Sequence, residues 1–369
     1  MPIGILGGGQ LARMMVEQGH KNGLDVLVLS KLPSDPAAQV TQKWCEGDID
    51  SIEDLRNFFK KCSLVTFESE FCDVEKINQA LKSYPQTLIF PSPKILETLQ
   101  DRLLQKNWLD DFHLPTAEYT SLKKSDSIGD ALSRLGTNTG VIKLRRFGYD
   151  GYGTYAISSP NLIHKAQSWF DEAQSDAILE KLIPFKREMA ITVARSQDGS
   201  IAFLPLVESF QTDNKCDWVK GPIHHDKIGP IKKKIKKALD TSQYVGCITF
   251  ELFDWKNQIL INEIAPRVHN SAHYSLEATS SDQFLLHMIC GLGIRIEPIQ
   301  CLSNGFAMAN IVSKSKKCFD VLPSQKSHLH WYGKEQFRPG RKMGHLTCLG
   351  SSPENALKKA KLARKEYEL

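Results

Sequence analysis

The chain has 369 residues, 41% of them apolar and 24% charged, the balance of a globular protein long enough for two or three domains. A formal net charge of +5 suits a small anionic ligand but is too slight and too dispersed to predict a nucleic-acid partner. No run reaches the ~20 apolar residues that span a bilayer, and the nine cysteines (45, 62, 72, 216, 247, 290, 301, 318 and 348) form no C-x-x-C pair, which argues against a zinc knuckle or a disulfide framework.

Ile3–Leu6 reads as a first strand rather than the start of a leader peptide, so a reducing, cytoplasmic location is expected. A glycine turn follows, then a helix from about Gln10 to Gly19 and a second strand, Val26–Leu29. A helix at Ile52–Lys60, a strand at Leu64–Phe67, a helix at Val74–Leu81 and a strand at Thr87–Phe90 continue the alternation, which predicts an open parallel sheet. Lys94–Phe112 reads as one connecting helix. Val141–Leu144 and Thr154–Ile157 form a predicted hairpin with Ile178–Leu182 nearby, a small α+β module. Beyond Arg187 the strands Met189–Ala194, Ile201–Leu206, Cys247–Trp255 and Ile259–Ile264 begin a mainly antiparallel sheet, followed by a helix near Ser281–Cys290. The lysine runs at 232–237 and 358–365 read as wet helix faces.

Four segments carry chemistry. Gly7-Gly8-Gly9-Gln10-Leu11-Ala12 matches G-x-G-x-x-G/A, a turn that admits a phosphate to a helix N-terminus or simply lets strand and helix pack closely. A dinucleotide would want an acid closing the second strand; Ser30 stands there instead. Lys143 interrupts an apolar strand before the glycine-rich loop 148–154, whose backbone can fold over phosphates. Glu251 and Glu263 lie in two apolar strands joined by a short polar turn. A three-residue turn sets them opposite each other, where they repel unless a cation such as magnesium lies between them, and a two-residue turn sets them on opposite faces. Arg267, His269 and Ser271 follow directly, and 332–345 adds four cations and three glycines, either an anion clamp or a solvated basic loop.

Taken together, GILGGGQLARMM, TFESE, DRLLQK, HLPTA, GYDGYG, YVGCITFELF, NEIAPRVHNSAHY and YGKEQFRPGRKMGHL resemble the ATP-grasp superfamily. Within it they are most similar to the N5-carboxyaminoimidazole ribonucleotide synthetases, ATP-dependent carboxylases of purine synthesis. The resemblance spans nearly the whole chain. It implies a mixed α/β and α+β architecture: an N-terminal Rossmann-like parallel sheet (1–110), a small α+β lid (111–186) and a C-terminal, mainly antiparallel ATP-grasp domain with helices (187–369). It also implies ATP and magnesium as cofactors, 5-aminoimidazole ribonucleotide and bicarbonate as substrates, and a homodimer.

The resemblance assigns roles residue by residue. Arg102, Lys143 and the loop Gly148, Tyr149, Asp150, Gly151, Tyr152, Gly153 and Thr154 would handle phosphates. Glu180, Lys181, Leu182 and Ile183 would meet adenine, Glu188 the ribose, and Glu251, Asn262 and Glu263 the magnesium–nucleotide. Tyr149, Asp150, Arg267, His269, Asn270, Ser271, Lys334, Arg341 and Lys342 would receive bicarbonate and ribonucleotide, with Gln10 and Glu70 facing the same substrate. Tyr149, Asp150, Arg267 and Lys334 are the expected catalytic group. Phe147, Tyr152 and Thr154 depart from the family's usual loop, Gln211 stands where a nucleotide-touching histidine is expected, Ala272 replaces a glycine, and one residue is added between Glu335 and Arg338. These departures make a non-catalytic ATP-binding protein the rival from another class; a sister ligase such as the formate-dependent glycinamide ribonucleotide transformylase is the alternative acceptor, and a nicotinamide oxidoreductase is a weaker alternative, given Ser30 at the end of the second strand.

Overall fold

The computed structural model describes residues 2–146, 148, 152–173, 175–314 and 327–367. Five parallel strands open the chain: β1 (Ile3–Leu6), β2 (Val26–Ser30), β3 (Trp44–Glu46), β4 (Leu64–Phe67) and β5 (Leu88–Ile89), in the order β3-β2-β1-β4-β5. β1, β2 and β4 are buried along their whole length, as expected where helices cover both faces of a parallel sheet. Those helices are α1 (Gln10–Lys21), α2 (Ile52–Phe59) and α3 (Val74–Leu81). The edge strand β3, only three residues long, carries no sequence pattern that would reveal it.

Lys94–Phe112 is two helices, not one. α4 (Pro93–Gln100) ends where Asp101 takes an extended conformation and caps α5 (Arg102–Asp111) by accepting from the backbone N–H groups of Leu103 and Leu104 at 3.0 and 3.3 Å. An aspartate satisfying two orphan donors favours a new helix start over continuation. The same carboxylate takes the Arg145 guanidinium at 2.9 and 2.7 Å, and the Arg102 N–H donates to the Arg145 carbonyl at 2.8 Å. The break thus anchors the following module to α5.

That module is a four-stranded antiparallel sheet, β6 (Tyr119–Leu122), β7 (Gly140–Leu144), β8 (Thr154–Ile157) and β9 (Ala177–Lys181), in the order β6-β9-β7-β8. Helices α6 (Ile128–Arg134) and α7 (Ile163–Glu172) pack against it through Leu132, Ile142, Ala166, Phe170 and Leu179. The expected 141–144/154–157 hairpin is present, with Lys143 opposite Thr154.

The rest of the chain builds a nine-stranded sheet from β10 (Arg187–Arg195), β11 (Ile201–Phe203), β12 (Val207–Thr212), β13 (Lys215–Gly221), β14 (Gly246–Trp255), β15 (Gln258–Ala265), β16 (Gly305–Val312), β17 (His328–Trp331) and β18 (Lys342–Gly350). Its order is β15-β14-β10-β12-β13-β16-β18-β17, with β11 also on β10. Ile201–Leu206 is therefore a strand only to Phe203; Pro205 carries no N–H for a ladder. Helices α8 (Ile228–Thr241), α9 (Ser275–Ala278), α10 (Gln283–Gly291) and α11 (Pro353–Arg364) complete the fold. α8 buries Ile231, Ile235, Ala238 and Leu239, and α11 buries Ala356, Ala360 and Ala363, so both lysine runs face outward as expected.

The β14–β15 hairpin turns on only two residues, Lys256 and Asn257, both at positive φ, with Trp255 paired to Gln258. That parity alone would send Glu251 and Glu263 to opposite faces. A β-bulge intervenes: Leu252 pairs with Ile261, but Glu251 pairs with Glu263, leaving Asn262 as the extra residue. The opposition expected from a longer turn is reached by a different route.

Buried polar groups join the layers. The His287 ring accepts from the Cys247 N–H through Nδ1 at 2.9 Å and meets Thr66 Oγ1 through Nε2 at 2.7 Å. Burial holds its pKa down to about 3, so it bridges β4 and β14 as a neutral ring. Asp101→Ala removes a cap and the Arg145 partner together, and we expect a loss of about 1–3 kcal/mol in urea unfolding, with Asp101→Asn retaining the capping share. An unchanged midpoint for the alanine variant would show that the helix break does not depend on this side chain.

Candidate active site

The glycine turn after β1 is already filled by the protein itself. Glu68, at the end of β4, accepts from the Gly9 N–H at 2.5 Å through Oε1 and from the Ala12 N–H at 3.1 Å through Oε2. A Cβ on Gly9 would lie 2.6 Å from that carboxylate, and one on Gly7 2.7 Å from the Glu68 Cγ. Ser30, at the end of β2, accepts from the Trp44 indole at 3.0 Å. The helix N-terminus therefore serves an internal anion, and the turn has its packing role. Burial raises the Glu68 pKa, opposed by the two N–H groups and by the charges of Arg267 and Lys334.

A cleft of about 940 Å³ runs between the four-stranded sheet and the large sheet. It is lined at one end by Lys181, Leu182 and Ile183, with Phe185 stacked on Phe253 at 4.4 Å. Lys181 pairs outward with Glu118 at 2.7 Å. Glu188 and Gln211 sit together on the neighbouring strands β10 and β12; burial raises the Glu188 carboxyl while a hydrogen bond from the Gln211 side chain opposes the rise.

Cations and acids alternate through the middle of the cleft. Lys143 reaches from β7 to Glu180 Oε2 at 2.9 Å and to the bulge residue through Asn262 Oδ1 at 2.8 Å. A second ammonium, Lys106 of α5, holds Glu180 Oε1 at 2.8 Å. Burial opposes ionisation of Glu180, yet the two lysines hold its carboxyl down to about 2. Arg102 donates to both oxygens of Glu263 at 3.2 and 3.3 Å and to the Leu144 carbonyl at 2.9 Å. It passes so close to Gly148 that a Cβ there would lie 2.1 Å from Nη1, which explains that glycine. Thr154 lines the cleft, whereas Tyr152, 68% exposed, does not. The expected residues Tyr149, Asp150 and Gly151 lie outside the described residues, as does Phe147.

Glu251 faces Glu263 across the hairpin. Burial pushes its carboxyl up to about 7, with Glu263 and then Glu188 adding to the rise. Such a pair is short of positive charge and suits a dication. Among the described residues no group of three or more His, Cys, Asp or Glu side chains is placed to hold a metal, so a cation here would draw its remaining ligands from phosphate oxygens and water.

At the far end, Arg267 clamps both oxygens of Glu70, through Nε and, at 2.8 Å, through Nη2. His269 Nδ1 receives the Ser271 N–H at 3.3 Å and lies 2.9 Å from the Ser271 hydroxyl, while Nε2 stands 3.4 Å from Glu251 Oε1. Burial, with the charges of Arg267 and Lys342, keeps the ring neutral, so the proton sits on Nε2 facing Glu251. Asn270 exchanges amide hydrogen bonds with Asn310 at 3.0 and 2.7 Å. Lys342 lines the cleft; Gln10, Ser271, Lys334 and Arg341 do not. Lys334 bonds Gln10 at 2.5 Å and the Lys342 carbonyl at 2.8 Å, and Arg341 donates to the Gln336 carbonyl at 2.8 Å. The cationic segment is thus tied to the N-terminal domain rather than loose in solvent. Lys106, Glu68 and Asn310 were missed in the sequence. The signal that singled out Lys143, a polar group interrupting an apolar strand, also marks Asn310 in Gly305–Val312.

This fold and this alternation of cation and acid define an ATP-grasp ligase. Residues 107–284 match the ATP-grasp domain, residues 1–100 the ribonucleotide synthetase preATP-grasp domain, and residues 307–359 the phosphoribosylaminoimidazole carboxylase C-terminal domain. The N5-carboxyaminoimidazole ribonucleotide synthase of Synechococcus elongatus is 32% identical over 94% of this chain and 88% of its own. The Staphylococcus aureus N5-carboxyaminoimidazole synthetase structure complexed with ADP superposes with a TM-score of 0.89 at 29% identity, covering 98% of this chain and 96% of that one. The Aspergillus clavatus enzyme in complex with ADP and 5-aminoimidazole ribonucleotide gives 0.85 at 26% identity, covering 99% and 97%. The chain belongs to the N5-carboxyaminoimidazole ribonucleotide synthase family, ADP-forming carbon–nitrogen ligases of purine biosynthesis.

Replacing Glu251 by glutamine relieves the like-charge contact. Without nucleotide or metal, Glu251→Gln should raise the thermal midpoint by about 1–3 °C, more at about pH 8.5 than at about pH 6, because only the ionised wild-type acid is strained. Differential scanning fluorimetry reads this directly; a lower midpoint at both pH values would contradict the repulsion.

Proposed function

We propose that the cleft binds magnesium–ATP and that the protein couples its cleavage to carboxylation of 5-aminoimidazole ribonucleotide. The carrying observation is the bulge at Asn262, which sets Glu251 and Glu263 face to face beside Lys143 and Arg102. Adenine would lie against Lys181, Leu182 and Ile183, with the ribose at Glu188 and Gln211. Phosphates would lie toward Arg102, Lys143 and the loop from Gly148 to Thr154, and Arg102 would exchange its present acid, Glu263, for a phosphoryl oxygen. Magnesium, held by Glu251 and Glu263, would neutralise charge on the transferring phosphoryl group.

A bicarbonate oxygen attacks the γ-phosphorus, ADP departs, and carboxyphosphate forms. The exocyclic amine of the ribonucleotide then attacks the carboxyl carbon, inorganic phosphate leaves, and the nitrogen loses a proton. The protein's work is positioning, charge stabilisation and exclusion of water from a labile intermediate. We assign Asp150 to orienting the amine and accepting that proton, with Tyr149 beside it. Glu70, Arg267, His269, Asn270 and Ser271 would frame the ribonucleotide, and Lys334, Arg341 and Lys342 its phosphate, with Gln10 fixing Lys334. His269, neutral with its proton on Nε2, supplies a hydrogen bond rather than a charge.

A homodimer in the cytoplasm is the proposed setting, by analogy with the family. Within the described residues no helix is long and apolar enough to cross a membrane. Purified protein should release phosphate from ATP only when 5-aminoimidazole ribonucleotide is supplied, and should form the carboxylated product only with bicarbonate. Turnover with glycinamide ribonucleotide and formate instead would move the assignment to the sister ligase, and calorimetric ATP binding without product would favour the non-catalytic rival. Glu263→Gln should lower kcat at least about 100-fold with the fold intact by circular dichroism; unimpaired turnover would refute the metal assignment.

A further inference from the structure

Lys106 lies outside the roles assigned above, yet it is among the most deeply enclosed charges in the protein, with 2% of its side chain exposed. Its ammonium donates to Thr116 Oγ1 at 2.5 Å and to the Asn262 carbonyl at 3.3 Å, and it forms an ion pair with Glu180 Oε1 at 2.8 Å, an oxygen that receives no hydrogen bond. Those three oxygens enclose it, and it does not line the cleft, whereas Lys143 does. Lys143 donates to Asn262 Oδ1 and forms an ion pair with Glu180 Oε2 among the described residues, and its place on the cleft wall lets it also meet a ligand. The two lysines thus take one oxygen each of a single buried carboxylate and both reach Asn262, the bulge residue.

The electrostatic consequence follows from counting charges. A lone Glu180 beside a lone Lys143 would be a neutral, tightly closed pair, and Lys143 would have little field to present to phosphate. With Lys106 on the other oxygen, the three groups carry a net positive charge, and it emerges at the only ammonium of the two that meets the cleft. We propose that Lys106 is a positioning residue for nucleotide binding, which shares the Glu180 carboxylate so that Lys143 keeps its charge and aim toward phosphate. It would act on ATP through Lys143 without touching ATP itself. Lys106 also holds α5, β9 and the bulge of β15 in one place, so the same ammonium sets the spacing of the two sheets that enclose the nucleotide.

This inference rests on the nucleotide reading of the cleft, and the test separates the two. The dissociation constant for magnesium–ATP is measured by calorimetry, alongside KM for ATP and for 5-aminoimidazole ribonucleotide. Lys106→Met should weaken magnesium–ATP about tenfold or more while leaving KM for the ribonucleotide within about twofold, because the loss is confined to the phosphate end. Lys106→Met/Glu180→Gln should regain most of the lost affinity, because removing the carboxylate's charge frees Lys143 again. A merely structural lysine predicts the reverse: a double variant as weak as the single or weaker, or both substrates affected together, and either result would overturn the proposal. Should the single variant fail to fold with its half-paired buried acid, the double variant decides alone, since it leaves no buried acid and its one freed charge, Lys143, lines the cleft: binding within about fivefold of the unmodified protein supports the proposal, and a larger loss overturns it. Lys143→Met is the control. If it weakens ATP while the Lys106 variants bind normally, only this inference fails; if it leaves ATP binding unchanged, the phosphate reading of the cleft falls and this inference falls with it.

Discussion

Two carboxylates held opposite each other inside a sheet are the constraint around which the rest of this protein is arranged. Glu251 and Glu263 gain nothing from each other, and burial together with the facing Glu263 charge makes Glu251 harder to ionise. Their opposition is not an accident of hairpin length, because the two-residue turn through Lys256 and Asn257 would separate them. One inserted residue restores the pairing. The bulge also gives Asn262 a conformation in which its carbonyl and side-chain oxygen meet two different lysines. A single departure from regular pairing thus creates the acidic face and attaches the cations that balance it.

The cations come from elements that sequence order keeps far apart. Arg102 and Lys106 begin and continue α5, Lys143 lies on β7, and Arg267 and Lys342 come from the large sheet. Acids are already in place beside them: Glu263 for Arg102, Glu180 for the two lysines and Glu70 for Arg267. The cleft is therefore organised before any ligand arrives, and binding exchanges one set of ionic partners for another rather than ordering free side chains. Preorganisation of this kind lowers the entropic cost of assembling a highly charged site.

Much of this was legible in the residues alone. β1, β4 and the 141–157 hairpin announced themselves by apolar runs bounded by glycine and polar turns, and Lys143, Glu251 and Glu263 stood out as charges within such runs. The break at Asp101 was missed although aspartate before a helical stretch is a start signal, because the apolar periodicity on either side continues almost in phase. Lys106 was missed because a lysine in a helix reads as a solvated face; only packing against β9 and β15 reveals that this one points inward. The parity of the β14–β15 hairpin was beyond sequence reasoning, since a bulge leaves no compositional mark. Glu68 was visible as an acid ending a strand, but its partner, a glycine turn 59 residues away, is brought to it only by the parallel neighbour relation of β1 and β4.

Glu68 has a consequence for how the N-terminal domain has been put to use. In a nucleotide-binding sheet of this shape the turn after the first strand is a receptor: it is empty until a phosphate arrives, and its glycines answer to that visitor. Here the seat is taken by a side chain of the same sheet, so the turn has become a fixed strut. Ligand discrimination has no purchase on it. The glycines at 7 and 9 now answer to an internal carboxylate, and an inherited-looking fingerprint reports the domain's architecture rather than its cargo.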